Sequence, residues 1–274
     1  MRSSARDAIF PVAITRKVSP GIGRCELTHV SRHVIDLDLA AEQHRRYEEC
    51  LEDLGCRILS LPAEPDLPDS VFVEDAAIVL DELAIITRPG APSRRPETSS
   101  IARALEPFRR LEYIRPPGTV DGGDILRIGR DLFVGASGRT NKEGANQLTA
   151  LAGPFGYRIT RVAVEGCLHL KSAATQVAKG MLVLNPRWVD GRLFAGMNLV
   201  EVDPSEPHAG NALLVGATVV CSFAYPRTRA RLERLGIEVK DVDMSEMAKA
   251  EGGLTCCSLI ILPGSAGFQP PEMQ

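Results

Sequence analysis

An α/β domain is the fold class this sequence predicts, and three observations predict it. Short apolar runs of strand length recur along the 274 residues, most of them rich in Val, Ile and Leu as sheet-buried strands are. Amphipathic patterns with apolar residues three and four apart lie between those runs, as surface helices require. Neither a long linker nor a shift in composition divides the chain, so one domain over residues 1–262 is expected, a length that buries a sizeable core. The Pro- and Gly-containing end, 263–274, is expected to be a disordered, frayed tail.

Strands are expected in the runs Val71 to Leu80, Leu83 to Thr87, Asp124 to Ile128, Leu132 to Val134, Met181 to Leu184, Ala212 to Ser222 and Leu254 to Leu262. Helices are expected over Leu39 to Leu54, where Ala40, His44, Tyr47 and Leu51 make one stripe, and over Thr98 to Leu111, Lys142 to Ala152 and Thr228 to Leu235. Asn141 is placed to cap the helix that starts at Lys142. Gly55 and Gly236 each follow a leucine that closes a helical pattern. Pro226 stands where a helix tolerates proline. Asp203 to Gly210 reads as a surface loop. The strand end at Thr87-Arg88-Pro89-Gly90, followed by a helix, is echoed by Ser222 to Arg227 and its helix. That echo suggests a weak internal repeat of ββα units.

Net charge is −3 with both signs spread along the chain, so neither nucleic acid nor a membrane surface is expected as a partner. No run approaches the roughly 18 apolar residues of a membrane span, and no apolar segment follows the first residues as in a secretory signal. Seven scattered cysteines without a CxxC pair fit neither a disulfide framework nor structural zinc. A reducing cytoplasm is the expected setting, with no metal and no cofactor.

Several polar residues stand where strand physics alone would not put them. Cys256 and Cys257 follow Gly252-Gly253 and open an apolar run. Adjacent strand residues face opposite ways, so one sulfur can reach a cavity while the other packs inside. Taken alone, a free cysteine is first a small buried hydrophobe. His169 sits between Leu168 and Leu170, sharing a strand face with Lys171. It reads either as a core histidine or as a general acid/base paired with a thiol across the fold. Asp69, Glu74 and Asp75 crowd an apolar segment, where a carboxylate needs a cation or donors. Asp121 and Asp124 flank Gly122-Gly123, and turn chemistry explains Asp124 better than Asp121. Arg88 and Arg139 each end a strand before a helix, the place where open α/β folds bind ligands. Each is a surface ion pair or a clamp for a carboxylate. A thiol, an imidazole, buried acids and two arginines together suit a zwitterionic amino acid with a cationic side chain.

The segments PDSVFVEDAA, AIITRPGAPSRRPE, GTVDGGDI, FVGASGRTNKEGA, LHLKS, YPRTR and GGLTCCS resemble, in order from Pro68 to Ser258, the dimethylarginine dimethylaminohydrolase family of the guanidino-modifying (pentein) superfamily. The resemblance implies a five-bladed α/β propeller of ββαβ-type units around a central pocket. It implies hydrolysis of asymmetric dimethylarginine to citrulline and dimethylamine through a covalent cysteine intermediate. By motif it makes Cys256 the nucleophile, His169 the acid/base and Asp121 the third catalytic carboxylate. Glu74 and Asp75 would face the guanidinium, and Leu27, Asp69, Arg88, Arg139 and the backbone of Ala250 would bind the rest of the substrate. A small amino acid is thus the expected partner, with a homodimer left open. The same motifs are compatible with an arginine deiminase or another guanidino hydrolase. A ribosome anti-association factor of the same architecture would not need the catalytic set. Glu251-Gly252 stands where the family usually has Asp-Gly, and zinc could bind the thiolate as an inhibitor.

Overall fold

The computed structural model describes residues 10–263; of the tail expected at 263–274, all but Pro263 lies outside the described residues. Its strands and helices, in chain order, are β1 (Val12–Arg16), α1 (Leu37–Asp53), β2 (Arg57–Leu61), β3 (Ala77–Val79), β4 (Leu83–Ile86), α2 (Thr98–Leu105), β5 (Arg110–Tyr113), β6 (Ile125–Ile128), β7 (Asp131–Ala136), α3 (Lys142–Ala152), β8 (Arg158–Ala163), α4 (Leu170–Ala173), β9 (Ala174–Ala178), β10 (Met181–Leu184), β11 (Asn198–Glu201), β12 (Leu213–Val215), β13 (Thr218–Ser222), α5 (Pro226–Arg234), β14 (Glu238–Val242), α6 (Ser245–Lys249) and β15 (Leu259–Ile261).

These strands form five three-stranded sheets, with orders β3-β4-β5, β6-β7-β8, β9-β10-β11, β12-β13-β14 and β15-β1-β2. In each, the middle strand pairs antiparallel with one neighbour and parallel with the other. The parallel pair is joined by a crossover, as parallel pairing demands: α2, α3, α5 and α1 serve four sheets. A short 3-10 helix, Gly191–Phe194, serves the β9-β10-β11 sheet. The architecture is a five-bladed α/β propeller. Its fifth sheet is completed when β15 pairs with β1, Val12 opposite Ile261, so both ends of the described chain meet in one blade.

Local sequence explains the elements. Asp36 accepts from the backbone of Asp38 and Leu39 and starts α1 two residues earlier than expected. The stripe of Ala40, His44, Tyr47 and Leu51 is buried as its spacing required. Asn141 caps α3 through the Gly144 N–H, and Pro226 opens α5. The two-residue turn between β12 and β13 places Gly216 at φ +61°, a conformation that suits glycine and a tight hairpin. The core is divided among five clusters rather than pooled in one.

Five expectations need correction. The run Ala212 to Ser222 is not one strand, because the Gly216 turn divides it into β12 and β13. The run Val71 to Leu80 is not one strand, because Val73–Ala76 forms a 3-10 turn before β3. The helix expected to Leu111 stops at Leu105, since Arg110–Tyr113 is claimed by parallel pairing with β4. His169 is not on a strand: it is the N-cap position of α4. Cys256 and Cys257 do not open the strand either; they sit in a 3-10 turn, Thr255–Cys257, ahead of β15. Irregular backbone is what lets buried polar groups leave the ladder pattern and converge.

Candidate active site

A small pocket is lined by residues from segments far apart in sequence. Asp69, Phe72 and Asp75 come from the segment before β3. Arg94 comes from the 3-10 helix Pro92–Glu97, Arg139 from the β7–α3 loop, and Leu168 and His169 from the approach to α4. Ala250, Glu251, Gly252 and Cys256 follow α6, and Glu26 closes the N-terminal side.

His169 is the electrostatic centre. Its Nε2 lies 3.0 Å from Asp121 Oδ2 and its Nδ1 lies 3.8 Å from Asp75 Oδ1. Burial alone would pull its pKa down, but the Asp75 charge, the hydrogen bond to Asp121 and the nearby Asp124 outweigh it and hold the imidazole up at about 9. At neutral pH the ring is therefore an imidazolium. Asp121 is fully buried and is held by the Gly90 N–H at 2.8 Å. Asp75 receives the Gly123 N–H at 2.9 Å and Arg94 Nη1 at 2.6 Å. Burial raises the pKa of Asp75, but His169 and Arg94 reverse that and keep its carboxylate well below the usual range. A side chain at Gly123 would bring Cβ within 2.6 Å of His169 Nδ1, so only glycine leaves the imidazole room. Asp75, Asp121 and His169 also place donor atoms within 4.8 Å of one another. Their oxygens are already engaged by Arg94, Gly123, Gly90 and His169, which makes the trio a hydrogen-bonded acid/base unit rather than an open metal shell.

Cys256 is half-buried on the pocket wall, while Cys257 is wholly buried. Its Sγ accepts the Gly253 N–H at 3.3 Å. Burial first, then Glu74 and Asp75, push its thiol up to about 12, with the Gly253 N–H and Lys171 pulling the other way. The unliganded residue is thus a neutral thiol, and a positive charge brought into the pocket is what would ionise it.

Arg139 Nη1 has no hydrogen-bond partner among the described residues, although it is buried and 3.9 Å from Asp121 Oδ2. Such a donor is a ready receptor for an anionic group. Asp69, also buried, accepts the Glu26 N–H, and Ala250 is buried on the same wall.

Three expected residues are placed otherwise. Arg88 does not line the pocket: its backbone bridges to Val120 and its Nη1 donates to Gly118 O at 3.2 Å. Arg94, six residues on, is the arginine that enters, and sequence reading passed over it although it stands in the quoted SRRPE segment. It is buried between Asp75 and Glu97. Glu74 turns from the pocket to the cavity on the other side; Lys171 Nζ, at 2.5 Å, and Thr255 Oγ1, at 2.9 Å, hold it there. Leu27 packs half-buried against the core cluster around Tyr47, leaving its neighbour Glu26 at the pocket. Asp124, expected in a turn role, is a buried strut: it accepts from Ser137, Thr140 and the Leu170 N–H and so fixes the start of α4. Glu251 takes up φ +59°, unusual for a non-glycine residue. Its carboxylate accepts the Thr28 and His29 N–H groups at 2.6 and 2.9 Å, tying the N-terminal segment to the pocket rim.

A scan against protein-family models matches none of them. Among curated proteins, the chain is 40% identical over 249 residues to N(G),N(G)-dimethylarginine dimethylaminohydrolase of Streptomyces coelicolor, covering 90% of this chain and 95% of that one. It is 39% identical over 226 residues to the enzyme of the same name from Pseudomonas aeruginosa, covering 82% and 89%. Among solved structures, a cysteine-to-serine variant of the Pseudomonas aeruginosa enzyme in complex with citrulline superposes with a TM-score of 0.88 at 36% identity, covering 92% of this chain and all of that one. The N-terminal domain of the arginine dihydrolase ArgZ, at 16% identity and a TM-score of 0.79, shares the fold. On identity and coverage, this chain belongs to the dimethylarginine dimethylaminohydrolase family.

Proposed function

We propose that the protein hydrolyses N-omega-methylated arginine, with asymmetric dimethylarginine as substrate and citrulline and dimethylamine as products. The observation that carries this reading is the convergence of a half-buried thiol, a protonated imidazole and Asp75 opposite an unpartnered arginine donor in one small pocket. The relatives' names and the citrulline complex supply the substrate class.

In this reading Arg139 holds the substrate carboxylate, and Asp69 and the Ala250 backbone meet its ammonium. Asp75 orients the guanidinium. That cation offsets the acids that raise the Cys256 thiol, so the thiol proton is lost to solvent as substrate binds. The thiolate attacks the guanidinium carbon and forms a C–S bond. His169, held protonated by Asp121 and Asp75, donates its proton to the departing dimethylamine as the C–N bond breaks. A thiouronium remains on Cys256. Neutral His169 then takes a proton from water, which adds to the same carbon. Collapse breaks the C–S bond, the hydroxyl proton passes through solvent to the departing sulfur, and neutral citrulline and the Cys256 thiol are left. Arg94 and Glu74 act behind this set: Arg94 fixes Asp75, and Glu74 acts through Thr255 and Lys171.

We propose a cytoplasmic setting, which accords with seven cysteines that are all free, and a homodimer remains part of the proposal. No helix among the described residues is long and apolar enough to cross a membrane. The test is a panel of arginine, monomethylarginine and asymmetric dimethylarginine with citrulline measured for each. The reading requires the dimethylated substrate to have the highest kcat/KM. Ammonia release from arginine as the dominant reaction would instead make the protein a deiminase.

A further inference from the structure

Cys256 and His169 lie on different segments, and no hydrogen bond joins their side chains among the described residues. Their separation must be set by what surrounds them. Thr255 immediately precedes Cys256, and Lys171 follows His169 by two residues. Between these segments stands Asn211, in the loop before β12 and 9% exposed. Its Nδ2 donates to Lys171 O and to Thr255 Oγ1, each at 3.0 Å, and its Oδ1 accepts the Thr255 N–H at 3.2 Å. The Thr255 hydroxyl passes its proton side to Glu74 Oε2 at 2.9 Å, and Glu74 Oε1 receives Lys171 Nζ at 2.5 Å. The contacts close a ring from the histidine segment through Asn211 and the nucleophile turn to Glu74 and back. Both Asn211 Nδ2 hydrogens and the Thr255 hydroxyl hydrogen have an acceptor, and Asn211 Oδ1 has a donor, so the amide can face only one way.

Asn211 is held from behind. Thr175 Oγ1 donates to Gly210 O at 2.7 Å and accepts the Ala212 N–H at 3.1 Å. Gly253 rests on the amide: a Cβ there would lie 2.5 Å from Asn211 Oδ1. The Gly253 N–H is the group that reaches Cys256 Sγ. Asn211 does not line the pocket that holds Cys256, His169 and Arg139.

We propose that Asn211 is a positioning residue that locks the Cys256 turn to the His169 segment. The proposal rests on the hydrolase reading above, and it assigns Asn211 an effect on turnover rather than on substrate binding.

Asn211→Ala is expected to lower kcat about 100-fold, the scale of an ångström-sized misplacement, with KM changed less than about threefold. Circular dichroism and a thermal melt establish that the variant is folded at the assay temperature. Thr255→Val keeps the shape and removes the hydroxyl from the ring, and the same split at about tenfold is expected. Alkylation of Cys256 by iodoacetamide reads the site without any substrate. The charged and titratable groups facing Cys256 are Glu74, Asp75, His169, Lys171 and Cys257, and Asn211→Ala alters none of them. Loosening Gly253 removes a donor to the sulfur, so the alkylation rate at pH 8 should fall about tenfold. Unchanged kcat in both variants, a rise in KM at constant kcat, or faster alkylation overturns the proposal. Should Asn211→Ala not fold, Thr255→Val decides. A wild-type protein that releases no citrulline from any methylated arginine would sink the hydrolase reading instead, and the alkylation rates would still decide whether the ring positions Cys256.

Discussion

His44 and His169 are each 3% exposed, yet burial has opposite outcomes for them. His44 lies on α1 with Glu48 3.8 Å away and with Nε2 unpartnered among the described residues, and desolvation, only partly opposed by Glu48, pulls its pKa down. His169 meets the same desolvation but has Asp75, Asp121 and Asp124 around it and rises to about 9. One ring is a neutral core side chain; the other is a stored proton. The difference lies in the acids that two other segments bring to it, which is why a histidine between two leucines could be read either way from sequence alone. The cysteines teach the same lesson. Burial pushes Cys167, Cys221 and Cys256 alike up to about 12. What sets Cys256 apart is a pocket in which a cation can be bound.

The largest test of this contrast exchanges the two histidines' fates. His169→Ala should cost turnover at least about 10³-fold, whereas His44→Leu should leave kcat within about twofold. Equal losses would mean that the acid cluster does not matter. Cys256→Ser should be as damaging as His169→Ala, while Cys257→Ser, which alters a core sulfur, should be mild. A dead Cys257→Ser would move the nucleophile by one residue.

Asp121→Asn comes next. It keeps an acceptor for Gly90 and removes a charge from His169, so kcat should fall about 100-fold. In the wild type the acid form of His169 is lost as pH rises through about 9, and the alkaline limb of kcat/KM, which reports the free enzyme, should lie there. With Asp121→Asn that limb should move to lower pH; a limb that stays would separate it from His169. Stability carries the same sign. Because the folded pKa is raised, the contribution of His169 is complete below the unfolded value near 6.5 and is lost as pH rises through about 9.

Arg139→Ala should raise KM roughly 10- to 100-fold, the loss of one charged hydrogen bond. Arg88→Ala, at a residue bonded to Gly118 O, should change KM less than about threefold. The reverse order would restore Arg88 to the pocket. The smallest effect is at His44. Its lowered pKa contributes stability above about 6.5 that is lost as pH falls below that value. His44→Leu should therefore flatten the acid destabilisation that sets in as pH falls below about 6.5.

Much of this was legible in the sequence. The ββα echo became the blade repeat, and the α1 stripe and the Asn141 cap followed from local rules, whereas the hairpin at Gly216 divides a run expected as one strand. Cys256, His169, Asp75 and Asp69 stood out as polar groups in apolar runs and Arg139 as a strand-end arginine, and all five line one pocket. Arg88 was preferred to Arg94 because a strand end is visible in sequence, whereas the turn of the 3-10 helix Pro92–Glu97 that aims Arg94 inward is not. Glu74 and Asp75 were paired because they are neighbours, but a 3-10 turn sends adjacent side chains apart, and Lys171 and Thr255 draw Glu74 behind the pocket. Asn211 carries no motif at all; its importance comes from where the fourth blade meets the nucleophile turn.

The central claim is that Cys256 attacks guanidinium carbon. Rapid acid quench of the wild-type protein mixed with asymmetric dimethylarginine, followed by fragment mass spectrometry, tests it most directly. A thiouronium adduct on Cys256, formed and lost at rates compatible with kcat, is the predicted result. An adduct on Cys257, or citrulline release with no cysteine adduct at any time, would contradict the account.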